Sequence, residues 1–264
     1  MSTRPDLDPA RAWLRRLAGT ADPLARLVCF PHAGGTAAFY RPWRDHLPAE
    51  VELYGVQYPG RLDRIAEACV DDMDLMATVV AAALRPLTDR PVVLFGHSLG
   101  AVIAYEVARS LSLHADGSPA ALVVSGRPAP DRQRPGDRHL AADDDLWADV
   151  ARLGGTRAEV LADLQLRRAF VTALRNDYRL AECYRPRSGP LLRCPVVAVI
   201  GAQDTEVDAA EAGSWAAVTS AGFALRVLPG DHFYLQADPA ATVAEVRRVL
   251  ARCTPPRYAG YAFP

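Results

Sequence analysis

The sequence predicts an α/β protein with a mostly parallel, doubly wound central sheet and helices on both faces, built from residues 1–264 as a single domain. Three observations predict it. Short apolar runs bounded by Gly, Pro or Asp alternate with stretches of helical periodicity, the pattern of strands joined by crossover helices. One such strand, Val92–Phe95, runs through Gly96-His97-Ser98-Leu99-Gly100 directly into Val102, Ile103, Ala104, Val107 and Ala108, which have helical spacing. The alternation breaks once, over residues 127–190, where helical segments appear and no strand does.

Taken in order, the first 26 residues are polar, with Trp13, Leu14 and Leu17 as apolar anchors; a short edge strand and a helix both stay open there. Leu27–Phe30 is the first buried strand, and it enters the loop Pro31-His32-Ala33-Gly34-Gly35-Thr36. Phe39–Leu47 reads as a short helix with Pro42 near its start, where the missing N–H is tolerated. Val51–Tyr58 alternates as a strand and breaks at Pro59-Gly60-Arg61. Asp72–Leu84 has helical period and ends near Pro86. Beyond the Ser98 turn and its helix, Asp116-Gly117 marks a turn and Ala121–Ser125 a further strand.

The insertion opens with a polar loop, Arg127–Leu140. Asp143–Leu153 follows as a helix, acidic at its start and closed by Gly154-Gly155. Thr156-Arg157-Ala158-Glu159 fits a capping box, and Leu166–Tyr184 is the next helix. The sheet resumes with Pro195–Gly201 and Ala224–Pro229, and Ala240–Cys253 closes the chain as an amphipathic helix. An insertion placed there is expected to be a lid over the C-terminal ends of the strands, the edge at which open α/β sheets bind ligands.

Composition narrows the function. Half the residues are hydrophobic, ample for a core, and the net charge of −1 gives no field favouring nucleic acid or an anionic membrane. All 30 basic residues are arginine, which reflects coding bias rather than function. No apolar run approaches the ~20 residues that span a bilayer, and Met1-Ser2-Thr3-Arg4-Pro5-Asp6 resembles no signal peptide. Cys29, Cys69, Cys183, Cys194 and Cys253 are odd in number and lack a Cys-x-x-Cys pair, so they are expected to be reduced, mostly buried thiols of a cytoplasmic protein. No metal or cofactor is expected, and a monomer is favoured.

Gly-x-Ser-x-Gly between strand and helix is the context of a nucleophile elbow. The turn is too tight for β-carbons at its flanks, so Gly96 and Gly100 leave room, and Ser98 is held above the sheet in a strained backbone. Its hydroxyl needs a base oriented by a carboxylate, in the chain order Ser, acid, His. Of six histidines only His232 directly follows a late strand, in Gly230-Asp231-His232-Phe233. His46, His114 and His139 are expected at the surface, and His97 is expected to pack away from Ser98. Asp204 follows the penultimate strand, with Glu206 and Asp208 as alternatives, whereas Asp231 is too close in sequence to orient His232. Two backbone donors should hold the oxyanion, the N–H of Leu99 and that of Ala33 in the Gly-rich loop; loss of one such donor typically costs ~10²–10³-fold.

Several blocks then carry a family resemblance. Phe30-Pro31-His32-Ala33-Gly34-Gly35, Tyr58-Pro59-Gly60-Arg61, Gly96-His97-Ser98-Leu99-Gly100-Ala101, Ser125-Gly126-Arg127-Pro128-Ala129-Pro130, Leu174-Arg175-Asn176-Asp177-Tyr178-Arg179 and Gly230-Asp231-His232-Phe233 occur in the order found in type II thioesterases. The chain resembles these free-standing editing enzymes of polyketide and nonribosomal peptide assembly lines from about Trp13 to its last helix. The resemblance implies an α/β-hydrolase with a helical lid, acting on thioesters carried by the phosphopantetheine arm of acyl carrier proteins or peptidyl carrier domains. It implies Ser98, Asp204 and His232 as the catalytic serine, aspartate and histidine. Leu99 stands where the family often has methionine, and Asp231 where it often has glycine.

The competing readings are a product-releasing or acyl-transferring thioesterase and a carboxylesterase or lipase of the same fold. A carrier-binding module without catalysis is disfavoured by the complete set of reacting groups. Arg167, Arg168, Arg175, Arg179, Arg185 and Arg187 crowd the end of the insertion and could meet an acidic carrier. Balanced by Asp163, Asp177 and Glu182, they read more simply as a solvated helix face. Trp147, Phe170 and Tyr178 are candidates for an acyl channel, although helical spacing also fits plain packing.

Overall fold

The computed structural model describes residues 12–114, 117–156 and 161–254. The turn at Asp116 and residues 157–159 of the expected capping box lie outside them. Among the described residues seven strands form one sheet: β1 (Leu14–Ala18), β2 (Ala25–Phe30), β3 (Val51–Val56), β4 (Val92–His97), β5 (Ala121–Ser125), β6 (Val196–Gly201) and β7 (Phe223–Leu228). Their order is β1-β3-β2-β4-β5-β6-β7. Only β1 is antiparallel, pairing with β3, and every other neighbour is parallel. The open choice in the first 26 residues therefore resolves as an edge strand, anchored by Leu14 opposite Val56.

Strands β2, β4 and β5 are buried along their whole length because both sheet faces are covered. Alternation then sorts their side chains. Val28, Phe30 and Leu94 pack on one face under α1 (Met73–Leu84) and α2 (Leu99–Ser112). Leu27, Cys29, Val93 and Phe95 pack on the other, against Trp43 of the short 3₁₀ helix Ala37–Asp45 and the C-terminal helix. The insertion supplies α3 (Asp143–Leu153) and α4 (Leu164–Cys183). Asp163 caps α4 by accepting from the Gln165 and Leu166 N–H groups, and Gly154 ends α3 in a left-handed conformation. After β6 come α5 (Ala209–Gly213), α6 (Tyr234–Ala237) and α7 (Pro239–Cys253). Among the described residues no helix is long and apolar enough to cross a membrane.

Two of the five cysteines, Cys29 and Cys194, are buried; Cys183 is exposed at the end of α4, so the expectation of mostly buried thiols holds only in part. The arginines of the insertion are neutralised differently from the sequence expectation. Arg167 pairs with Asp144, Arg175 with Asp143, Arg179 with Asp71 and Arg187 with Asp74. Asp163 is spent on its helix cap, and Asp177 and Glu182 face inward to other partners, because short-range charge counting ignores which side of α4 is buried.

Candidate active site

The elbow forms as its glycines require. A β-carbon on Gly96 would lie 2.1 Å from the Gly100 carbonyl oxygen, and one on Gly100 would lie 2.0 Å from that of Phe30. Ser98 sits between them at φ 55° and ψ −118°, a left-handed conformation costly for a residue with a side chain. Leu99 is the first residue of α2, where a backbone N–H has no partner inside the helix and is free for a ligand.

His232 and Asp204 arrive on neighbouring loops. The His232 loop crosses directly over the end of β6, and this is where Gly201 matters: a β-carbon there would lie 2.3 Å from the Asp231 carbonyl oxygen. The loops are also tied together, since Gln203 N–H donates to the Gly230 carbonyl at 2.9 Å and Gly230 N–H to Gln203 Oε1 at 2.9 Å. His232 Nδ1 consequently stands 3.0 Å from both carboxylate oxygens of Asp204. The carboxylate is fully enclosed, and its Oδ1 also accepts the Glu206 N–H at 2.9 Å. The alternatives do other work. Glu206 pairs with Arg138 and Arg152, Asp208 caps α5, and Asp231 accepts from the Phe233 N–H.

Ser98, Leu99, His232, His32 and Ala33 line one cavity of about 80 Å³. Val150, Leu153, Tyr178, Ala181 and Glu182 of the insertion close it from above. Tyr178 is the single member of the expected channel trio that reaches it; Trp147 and Phe170 pack with Leu146 and Leu174 between α3 and α4. Arg127 also reaches the cavity, where burial lowers its guanidinium to about 10, so it remains charged at neutral pH.

The histidines depart most from expectation. His139 does not face solvent: its Nδ1 is 2.6 Å from Glu182 Oε2, and its side chain is 14% exposed. His97 does point to Ser125, with Nδ1 2.9 Å from Ser125 Oγ, which in turn is 2.6 Å from the Tyr234 hydroxyl. Yet its ring also lies 4.8 Å from that of His232, tilted by 41°, and His32 lies 6.0 Å away, so three imidazoles cluster. Sequence spacing carries no signal for this, because the rings come from two loops and the end of β4, far apart along the chain.

Burial, reinforced by the neighbouring His232 charge, pushes His32 down to about 3 and His97 well below the usual imidazole range. Both stay neutral in the folded chain at a pH where the unfolded chain protonates them. Below pH 6.5 the unfolded state therefore binds more protons at both rings and stability falls with acid, for His32 by up to about 1.4 kcal/mol per pH unit until the pH nears 3. His32 edges onto Phe39 and Phe233, so His32→Phe is a fair isostere. Urea unfolding of that variant between pH 6.5 and 5 should show a mean slope shallower by about 1 kcal/mol per pH unit. Equal slopes would mean that folded His32 takes up the proton.

A deeply buried ion pair adjoins the cavity. Arg61 Nη1 and Nη2 donate to Asp177 Oδ2 and Oδ1 at 2.6 and 2.8 Å. Both residues were visible as parts of motifs, but only their meeting across the fold gives them a shared place beside the Ala33 loop.

Comparison with known proteins gives the family. The thioesterase-domain family profile matches residues 25–250. The chain is 40% identical over 243 residues to the probable cadicidin biosynthesis thioesterase of Streptomyces griseus, covering 92% of this chain and 67% of that one. It is 40% identical over 236 residues to thioesterase PikA5 of Streptomyces venezuelae, covering 89% and 84%. The solved type II thioesterase BorB from the borrelidin biosynthetic cluster superposes with a TM-score of 0.84 at 41% identity, covering 94% of this chain and all of that one. YbtT, the type II thioesterase of the yersiniabactin pathway, superposes with a TM-score of 0.83 at 27% identity, covering 92% and 100%. With the family profile spanning nearly the whole sheet and relatives this similar along most of their length, the chain belongs to the thioesterase family, an α/β-hydrolase that hydrolyses thioesters.

Proposed function

We propose that this thioesterase removes acyl or peptidyl groups from the phosphopantetheine arms of carrier proteins, editing stalled or misprimed polyketide or nonribosomal peptide assembly lines. The observation that carries the mechanism is the enclosed His232–Asp204 pair opening on the same cavity as the strained Ser98. His232 takes the Ser98 proton as the hydroxyl oxygen attacks the thioester carbonyl. The Ala33 and Leu99 N–H groups hold the oxyanion, and collapse of the intermediate expels the carrier thiol, which takes its proton from His232. Water deprotonated by His232 then attacks the acyl-enzyme and releases the acid, returning the proton to Ser98. Asp204 keeps the imidazole in the tautomer with Nδ1–H and stabilises its cation. The scheme draws on no cofactor.

The insertion serves as the lid. The cavity is well below the ~300 Å³ at which small-molecule sites usually begin, so a short acyl group fits as the insertion stands. A longer one requires α3 and α4 to shift. One acyl chain presented as a carrier-bound thioester and as an oxygen ester tests the assignment. The carrier thioester should be turned over with kcat/KM at least about tenfold higher. A preference for the oxygen ester would favour a carboxylesterase and end the editing reading.

A further inference from the structure

We propose that Arg61 and Asp177 are positioning residues for the oxyanion hole: their ion pair grips the Pro31–Gly35 loop and so aims the Ala33 N–H into the cavity. The inference rests on Ala33 being an oxyanion donor, as read above.

Each member of the pair is 1% exposed, and each has a hand on the loop. Asp177 Oδ2, besides binding Arg61, accepts the Gly34 N–H at 2.8 Å. Arg61 Nη1 donates to the Gly35 carbonyl at 3.2 Å. The Ala33–Gly34 and Gly35–Thr36 peptide groups are thus held from opposite ends of one ion pair. On the other side the Tyr58 hydroxyl donates to the Pro31 carbonyl at 3.2 Å, and Gly35 N–H closes the turn onto the His32 carbonyl at 2.9 Å. Gly34 takes φ +75°, open to glycine at little cost, so its N–H can turn to Asp177.

The backbone around Arg61 is itself strained. Among the described residues only two besides glycine have positive φ, Ser98 and Leu62 at 50°, and Leu62 directly follows Arg61. Strain of this kind persists only where surrounding structure enforces it, and here it accompanies the turn that sends Arg61 inward.

A purely structural role accounts poorly for these residues. Two charges lose their hydration on burial, and an apolar pair of similar volume commonly supports a fold as well or better. An apolar pair cannot accept from Gly34 or donate to Gly35. Because Asp177 lies on α4, the insertion holds the loop directly, and the oxyanion hole is complete only while that part of α4 is docked.

Asp177→Asn keeps the side-chain shape and removes its charge. For a carrier-bound acyl thioester its kcat should fall about 10²-fold, the lower end of what losing one oxyanion donor costs, with KM changed by less than about threefold. Affinity for an alkyl boronic acid, whose Ser98 adduct is tetrahedral, should fall by the same factor, whereas affinity for an unreactive thioether analogue of the substrate should hold. The double variant Arg61→Met/Asp177→Leu should regain the wild-type Tm while its kcat stays low, and it carries the same comparison if the single variant does not fold. A double variant that regains kcat together with Tm, or an Asp177→Asn protein with unaltered kcat and boronate affinity, would overturn the assignment. Wild-type protein that a fluorophosphonate leaves unlabelled at Ser98 would instead refute the underlying serine mechanism.

Discussion

Replacing Ser98 with alanine is expected to lower kcat for a carrier-bound acyl thioester by on the order of 10⁶-fold. Fold and carrier affinity should stay as they are. The substitution deletes one oxygen at a position where Gly96, Gly100 and the Phe30 carbonyl, rather than the serine side chain, set the backbone. Alanine inherits the same φ of 55° and the same strain, so the elbow has no reason to collapse. What disappears is the atom that forms the acyl-enzyme in the proposed mechanism. The oxyanion donors and His232 can still assist direct attack by water, and this leaves a residual acceleration of roughly 10³–10⁴ over the uncatalysed reaction. Release of carrier thiol measures the rate, mass spectrometry should find no acylated protein, and circular dichroism should match wild type. A variant that turns over near the wild-type rate would eliminate the covalent route.

Asp204→Asn should cost about 10⁴-fold in kcat with little change in structure. The Asp204 carboxylate sets both oxygens 3.0 Å from His232 Nδ1 and is enclosed, so it can only be met by an N–H donor. Asparagine is isosteric and can still accept the Glu206 N–H. If its amide NH₂ then faces His232, the imidazole must accept at Nδ1 and carry its proton on Nε2, where it can no longer take one from Ser98. The imidazolium also loses its counter-charge. Kinetics with a short acyl thioester check the magnitude, and a ring-nitrogen NMR measurement on His232 checks the cause, since the tautomer should switch. Loss of activity with an unchanged tautomer would leave charge stabilisation as the whole effect.

The candidate site was largely legible because each part carries a local signature. Gly-x-Ser-x-Gly lies between a strand and a helix, Gly34-Gly35 follows β2, and Asp204 and His232 each follow a strand near the C-terminus. Such turns are dictated by backbone sterics within a few residues, and strands buried on both faces announce themselves as continuous apolar runs. Strand β1 was not legible. Its five residues include two arginines, and it is a strand only because β3 offers an unpaired edge. The polar partnerships were equally hidden. His139 finds Glu182, Asp177 finds Arg61 and the insertion's arginines find acids on other segments, each across a long sequence separation.

The sequence by itself determined where the buried strands β2–β7 and the long helices fall, where the chain turns sharply, and which hydroxyl, imidazole and carboxylate stand at those turns, since periodicity and glycine sterics act over a few neighbouring residues. Tertiary structure alone decided the size of the cavity, the clustering of His32, His97 and His232, and the grip of Arg61 and Asp177 on the Ala33 loop. A polar group taken out of water must be met by whichever distant group the fold brings to it, and that choice exists only once the chain has closed on itself.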